Sequence, residues 1–406
     1  MGVQYPKKKI NILIIAHFCG GNGESTNNRF NYLYDLFRNE MKVSLLTSSF
    51  SHRDKIQRFE DNSDCCDINY VYEVGYKRNI SLKRVYSHRM FGRNLKTYLE
   101  TIIAPDIIYC GFPSIEVGSV VRKYCKKNNV KMMLDIQDLW PEAFYMILGE
   151  TFFTKLILKP LTYKANKVFS AAEAVVTVSN TYMKRIESLK KIPAYKRVVY
   201  LGTDLCKYES LEGKSTGDNH DCITLAYIGT LGKSYDIELV IDALQIINKK
   251  YGFPINFIVM GDGPEIERLK NYSRKKNIPV DFRGRLDFDR MASILMKCDI
   301  AINPIKPGSA GSIINKVCDY AAASLPVINT QDSSEYRALL KEYKFGLNCD
   351  PNSAVDVAEK IYYLSQNHIL RIKMGCNNRK MAEKLMNREV SYMKILDLVK
   401  DVHNAQ

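Results

Sequence analysis

Tryptophan occurs once in this 406-residue chain, and long apolar runs are missing. The longest, Ile10 to Phe18, is broken by Asn11 and His17 and falls far short of the roughly 20 residues a spanning helix needs. No small-residue cleavage site follows it closely, so neither a membrane span nor a secretory leader is expected. Paired cysteines are missing as well. The eleven cysteines are an odd number without a Cys-x-x-Cys pair, and only Cys65 and Cys66 cluster. That argues against a disulfide framework or a zinc site and for reduced thiols in a cytoplasm. The six histidines are scattered with no pair at ligand spacing, so no metal site is expected. Asp287-Phe-Asp289 has a suggestive spacing, but it reads as a cap for a helix at Arg290. Short-period repeats and low-complexity tracts are absent.

What is present is an ordinary globular composition, 46% hydrophobic and 25% charged, in a chain too long for one core. Two domains are the natural expectation. The net charge of +15 is unevenly spread: residues 1–200 carry 31 Lys/Arg against 18 Asp/Glu, residues 201–406 carry 28 against 26. A basic half joined to a near-neutral half suggests that one domain faces a polyanion. Much of the surplus lies between Lys77 and Lys96. There, helical spacing puts Phe91, Leu95, Tyr98 and Leu99 on one side and Arg89, Arg93 and Lys96 on the other. Peripheral contact with an anionic membrane is one reading of that face, and a solvated helix packed on its own domain is the other.

Both halves alternate short strands with helices. Strands are predicted over 10–16, 43–47, 70–74, 106–110, 131–135 and 174–178, with helices over 27–39, 115–127 and 181–190. After a polar stretch from Cys206 to Asp221 the alternation restarts. Strands follow over 223–228, 255–260, 279–282, 299–303 and 326–328, with helices near 237–249, 265–276, 290–297 and 315–323. The expected organisation is an α/β first domain over 1–204, a linker over 205–221 and an α/β second domain over 222–385. A C-terminal helix over 386–406 is expected to return to the first domain. Each domain would be a doubly wound Rossmann-like sheet, the two facing across a cleft.

The second half holds the most telling motifs. Gly229-Thr-Leu231-Gly232-Lys233 follows one strand and Gly261-Asp-Gly263-Pro-Glu265 the next, each leading into a helix. Val280-Asp-Phe-Arg-Gly284-Arg285 comes third. Last, Asp299–Asn303 runs through a Pro- and Gly-containing loop into Ser312-Ile313-Ile-Asn-Lys316-Val-Cys-Asp319. Glycines let a backbone approach a phosphate, helix starts offer unpaired N–H groups, and Lys233 and Lys316 add charge. Asp319 could accept from the hydroxyls of a ribose. Together these motifs suggest a seat for a nucleotide diphosphate. Any one alone is equally well a tight strand-to-helix turn.

The four segments, in this order and spacing, resemble the donor-binding half of GT-B glycosyltransferases of family 4. The first half agrees. Ala16-His17-Phe-Cys-Gly20-Gly21-Asn-Gly23 resembles that family's mobile glycine loop, which approaches the donor diphosphate. It is a poor dinucleotide fingerprint, because the glycine spacing is wrong and the second strand ends in Leu46-Thr47-Ser48 without an acid. Asp135-Ile-Gln-Asp138-Leu-Trp140-Pro-Glu142 resembles the Asp-x-x-Asp-Leu-Trp-Pro-Glu element of bacterial members that build surface polysaccharides. Read from the residues alone, Asp138 is also a helix N-cap with Pro141 in the first turn.

The resemblance implies a retaining transferase that needs no metal or other cofactor, the nucleotide-sugar being a substrate with UDP the expected base. It assigns Lys233, Lys316 and Asp138 to catalysis. It assigns Gly21, Gly229, Leu231, Gly232, Gly261, Gly263, Gly284, Arg285, Ser312, Ile313 and Asp319 to the donor, and Asp135, Trp140, Glu142 and His17 to the acceptor. The acceptor implied is a lipid-linked glycan at the inner face of the plasma membrane, on its way to capsule or O-antigen. Nucleic acid is not an expected partner. Two departures stand out. The first of the family's paired glutamates falls on Gly311 and the second on Asp319, and the basic residues of its first loop fall on Thr230, Tyr235 and Asp236. A non-catalytic partner subunit and a sugar-nucleotide epimerase of the same fold are therefore the alternatives.

Overall fold

The computed structural model describes residues 9–20, 28–58, 68–79, 81–145, 149–212, 222–309 and 312–405. They form two compact units, Met1–Val199 with Tyr392–Gln406, and Tyr200–Ser391.

The first unit is built on seven parallel strands: β1 (Asn11–Ile15), β2 (Lys42–Ser48), β3 (Ile68–Val71), β4 (Ile107–Phe112), β5 (Lys131–Ile136), β6 (Ala174–Thr177) and β7 (Tyr195–Val198). Their order is β3-β2-β1-β4-β5-β6-β7. The central strand β4 is buried at every residue, as an apolar run covered on both faces must be. Caps fix where the helices start. Asn28 accepts from the Phe30 amide ahead of the Arg29–Arg38 helix, and Ser81 from the Arg84 amide ahead of Leu82–Thr101. On the second of these, Phe91, Leu95 and Leu99 are buried while Arg89, Arg93 and Lys96 face outward. The Phe152–Phe169 helix, held at its start by a Thr151–Thr154 capping box, is an element the sequence reading did not include.

The chain's last helix, Met393–Asn404, packs on this unit: Ile395, Leu396, Leu398, Val399 and Val402 join a core with Ile12, Val43, Leu45, Ile107 and Val176. Lys131 Nζ donates to the carbonyls of Val402, His403 and Ala405 at 2.8, 3.0 and 2.5 Å, tying down the helix C-terminus.

The second unit has six parallel strands: β8 (Ile223–Ile228), β9 (Ile255–Met260), β10 (Val280–Gly284), β11 (Ile300–Asn303), β12 (Val327–Asn329) and β13 (Gly346–Asn348). Their order is β10-β9-β8-β11-β12-β13. The three-residue strand β13 is too short to show in the sequence. Part of the stretch read as linker is structured: Leu205–Glu212 is a helix, and its Leu205 and Tyr208 are buried in the same core as Val317 and Tyr320. Residues 213–221 lie outside the described residues. In each sheet the strand order reverses beside one strand, β1 in the first and β8 in the second. Loops leaving such a switch point at the strand C-termini are where open α/β sheets bind ligands.

Candidate functional site

In the second unit the three glycine loops are stitched together by their backbones. Gly229 donates to Met260 O at 2.9 Å, Leu231 to Asp262 O at 2.9 Å and Gly261 to Gly284 O at 2.8 Å, while Glu265 donates back to Leu231 O at 3.1 Å. This explains two of the glycines. A Cβ on Gly261 would sit 1.8 Å from Gly229 O, and one on Gly263 2.3 Å from Leu231 O. They are glycine so that two loops can lie backbone against backbone. Leu231, expected to face the donor, is a fastener instead: its side chain is fully buried and its amide and carbonyl are both engaged. Ile313 likewise turns into the core.

Lys316 is the outstanding side chain of this region. It opens the Lys316–Ala322 helix and is 7% exposed, yet Nζ has no hydrogen-bond partner among the described residues. The ammonium sits between two rings, 3.7 Å from the Tyr235 centroid and 3.9 Å from that of Tyr227. Tyr227 is held in place by its hydroxyl, which donates to Thr230 O at 2.7 Å. Ring faces attract a cation but do not replace hydration, and burial pushes the lysine pKa well below its ordinary value. Lys316 Nζ lies 3.0 Å from where a Gly229 Cβ would be. The missing side chain therefore opens the Gly229–Gly232 turn to the ammonium.

The same unit holds a buried polar layer, of which the sequence reading assigned Ser312 alone to the site. Asn303, at the end of β11, donates to Asn329 Oδ1 at 2.9 Å and to Gln331 Oε1 at 3.3 Å, and Gln331 donates to Ser312 O at 2.7 Å. Ser312 Oγ and Asn303 Oδ1 are themselves buried without a partner among the described residues. A legible signal existed, since Asn303 and Asn329-Thr330-Gln331 are polar residues directly ending apolar strands.

Of the other expected donor residues, Asp319 accepts from Tyr208 at 3.0 Å and Thr203 at 3.3 Å. Burial raises its pKa to about 6 against the opposing hydrogen bonds and the charge of Arg388. Lys233 and Arg285 are exposed, Gly232 is half-buried, and Gly284 adopts φ +66° with open space beside it. Gly21 and Gly311 lie outside the described residues. Asp287 caps the helix at Arg290, whose amide donates to it at 2.9 Å.

In the first unit the structure corrects one assignment. Asp135 does not face an acceptor. It is fully buried at the end of β5, accepting from Arg29 Nε at 2.7 Å and Tyr109 Oη at 2.5 Å. Asp138 accepts from its neighbour's amide at 2.9 Å, the Trp140 indole at 3.1 Å and Tyr182 Oη at 3.2 Å. The residues after it open with a 3₁₀ turn, Glu142–Phe144, and residues 146–148 lie outside the described residues. Burial raises the Asp138 pKa, opposed by those three hydrogen bonds. Glu142 is tied to Arg185 at 2.5 Å. Trp140 lies parallel to His88 at 6.1 Å between ring centroids, with the Arg84 guanidinium 4.9 Å over its ring.

His17 stands in a cluster that no spacing announced. Its Nε2 is 2.8 Å from Glu73 Oε2, and the Glu73 carboxylate also accepts from Ser48 and Ser87, each at 2.6 Å. Potential ligand atoms of His17, Glu73 and His88 lie within 4.8 Å of one another, all three residues buried. Burial pushes Glu73 up, but His17 and the two hydroxyls outweigh it and hold the acid at about 2. Burial holds His88 at about 2 and His52 at about 3, hence neutral. His17 stacks between Phe18 and Phe91 at 4.3 and 4.2 Å. His17, Phe18, His88 and Trp140 thus make a continuous aromatic cluster braced by Glu73 and Arg84.

Comparison with known proteins agrees with this layout. Residues 211–381 match the family described as glycosyl transferases group 1. Two uncharacterized glycosyltransferases of Methanocaldococcus jannaschii are similar. One is 28% identical over 39% of this chain and 42% of its own length, the other 26% identical over 61% and 62%. The chain thus spans less than two thirds of either relative. Among solved structures, sucrose-phosphate synthase from Thermosynechococcus elongatus superposes with a TM-score of 0.73 at 16% identity, covering 98% of this chain and 100% of that one. Anabaena HepE, in complex with UDP and glucose, gives 0.66 at 14% identity, covering 96% and 99%. The fold is GT-B.

Proposed function

We propose that the chain is a retaining, metal-independent glycosyltransferase of the family 4 type. It would move a sugar from a nucleotide diphosphate, UDP first among the candidates, to a lipid-linked glycan in bacterial surface-polysaccharide assembly. The observation that carries this reading is the orphan ammonium of Lys316, buried between Tyr227 and Tyr235 beside the Gly229–Gly232 turn. A buried cation without a counter-charge is costly, and a bound anion removes the cost. A diphosphate is the anion that a glycine turn accommodates. Its negative charge grows as the glycosidic bond breaks, so Lys316, aided by Lys233 at the rim, stabilises the departure of the leaving group. Ser312 Oγ and Asn303 Oδ1 are further polar atoms for the donor, and Asp319, in the first turn of the Lys316 helix, is the proposed partner of the ribose.

On this reading the second unit binds the donor and the first binds the acceptor. Trp140 and the His17 cluster offer flat aromatic faces, and Asp138 and Glu142 offer carboxylates, a combination suited to sugar hydroxyls. UDP bound to Anabaena HepE supports the choice of base. A lipid-linked acceptor and the basic first half support a position at the cytoplasmic face of an anionic membrane.

The test is a nucleotide panel followed by turnover. Stabilisation of the purified protein by one of UDP, GDP, dTDP and ADP fixes the base. Product formation from the matching nucleotide-sugars and a lipid-linked acceptor then establishes transfer. Binding without turnover on any acceptor favours a partner subunit, and donor conversion without acceptor favours an epimerase.

A further inference from the structure

The Phe152–Phe169 helix turns an apolar face to solvent. Phe152 is 76% exposed, Phe153 73% and Ile157 70%, with Leu156 and Tyr163 also exposed. At 100° per residue these side chains and Pro160 span an arc of about 140°, and the exposed Lys164 and Lys167 fall within it toward the helix C-terminus. Leu158, Ala165, Val168 and Phe169, which bury the helix against its own unit, lie on the other side. Two lines of chemistry say what covers this face. Lys155, Lys159, Lys164 and Lys167 all lie on the helix, and no carboxylate occurs between Glu150, which pairs with Lys155 at 2.8 Å, and Glu173. A second copy of the chain docking the same face would set cations against cations, because a two-fold contact is self-complementary. Large exposed aromatics with lysines and no acid are the composition of a helix lying in the interface of an anionic bilayer.

We infer that this helix is the protein's membrane-docking element, with Phe152, Phe153, Leu156 and Ile157 entering the acyl boundary and the lysines engaging anionic headgroups. Among the described residues no helix is long and apolar enough to cross a membrane, so the contact is one of lying on the surface. The inference deepens the proposed function, which supplies the reason for a membrane, and it moves the contact from the 77–96 segment to this helix. Leu82, Val85 and Tyr86 of the neighbouring segment are exposed too, but there Arg84 is spent on Trp140 and Tyr76.

The experiment is co-sedimentation of the full chain with phosphatidylcholine vesicles, with and without phosphatidylglycerol. Light scattering gives the oligomeric state in the same samples. Binding should require phosphatidylglycerol. Replacing Phe152, Phe153 and Ile157 by Ser should weaken it about tenfold or more. Lys159→Ala and Lys164→Ala should weaken it by about fivefold each, while Leu82→Ser with Tyr86→Ser leaves it intact. These exposed positions should not change the protein's thermal unfolding or its stabilisation by nucleotide, which keeps this test separate from that of the donor site. No vesicle binding overturns the inference, as does binding lost only in the Leu82/Tyr86 variant. A dimer dispersed by the Phe substitutions would assign the face to a second copy.

Discussion

Each unit buries a cation, and the two are treated in opposite ways. In the first unit Arg29, 3% exposed, is paired with a fully buried Asp135 at 2.7 Å, donates to Val199 O at 3.1 Å and lies 4.7 Å from the Tyr392 ring. Those partners come from β5, from the end of β7 and from the start of the C-terminal helix, so the pair fastens distant parts of one unit. In the second unit Lys316 is nearly as buried and, among the described residues, its ammonium meets two ring faces and no hydrogen-bond partner. A paired buried charge is an element of structure. An unpaired one is a standing cost, and such costs persist where a ligand relieves them. On the proposed reading, the contrast separates a residue that holds the fold from one that awaits a substrate.

Breaking the pair should have the largest effect. Asp135→Ala leaves the Arg29 charge buried without its counter-ion and should cost about 3–5 kcal/mol of first-unit stability, read by urea denaturation. Loss of nucleotide binding without loss of stability would instead make Asp135 part of the site. The next contrast lies within the glycine loops. Gly261→Ala drives a Cβ into Gly229 O and should cost about 3 kcal/mol. Gly284→Ala meets open space and should cost only the left-handed backbone penalty of about 1 kcal/mol. Equal losses would mean that the loops are not zipped together as described.

Asp319 gives a pH signature. Its folded pKa of about 6 lies above the ordinary 3.8, so its contribution is fully present below 3.8 and fades as pH rises through about 6. Asp319→Asn should flatten that decline, about 3 kcal/mol in the difference profile. Lys316 titrates with the other sign. Between its depressed folded value and 10.5 the unfolded chain holds the extra proton, so stability climbs with pH across that window. Lys316→Met should abolish the climb, seen as a converging pair of melting curves between neutral and alkaline pH.

Much of the scaffold was legible. The strands over 223–228 and 255–260 were read to the residue, because short, mostly apolar runs ended by glycine admit little else. The Phe152–Phe169 helix escaped because apolar residues lie on its exposed side as well as its buried one, which blurs the period that pattern reading relies on. The His17, Glu73 and His88 cluster draws on three separate segments that only the β1–β2–β3 order and the following helix bring together. Lys316 was visible as a cation, but its lack of a partner is a property of packing. Asp135 was misassigned for the complementary reason: the sequence shows the carboxylate and not Arg29, 106 residues away, that claims it.

The most direct test of the central claim is the melting temperature of the wild-type protein and Lys316→Met, each with and without saturating UDP. If Lys316 is a cation awaiting a diphosphate, the variant melts no lower than wild type, and higher where the lysine is charged. UDP raises the melting temperature of wild type only. A variant that melts lower in the absence of nucleotide yet is stabilised by UDP as much as wild type would show that Lys316 belongs to the core and that the anion seat lies elsewhere.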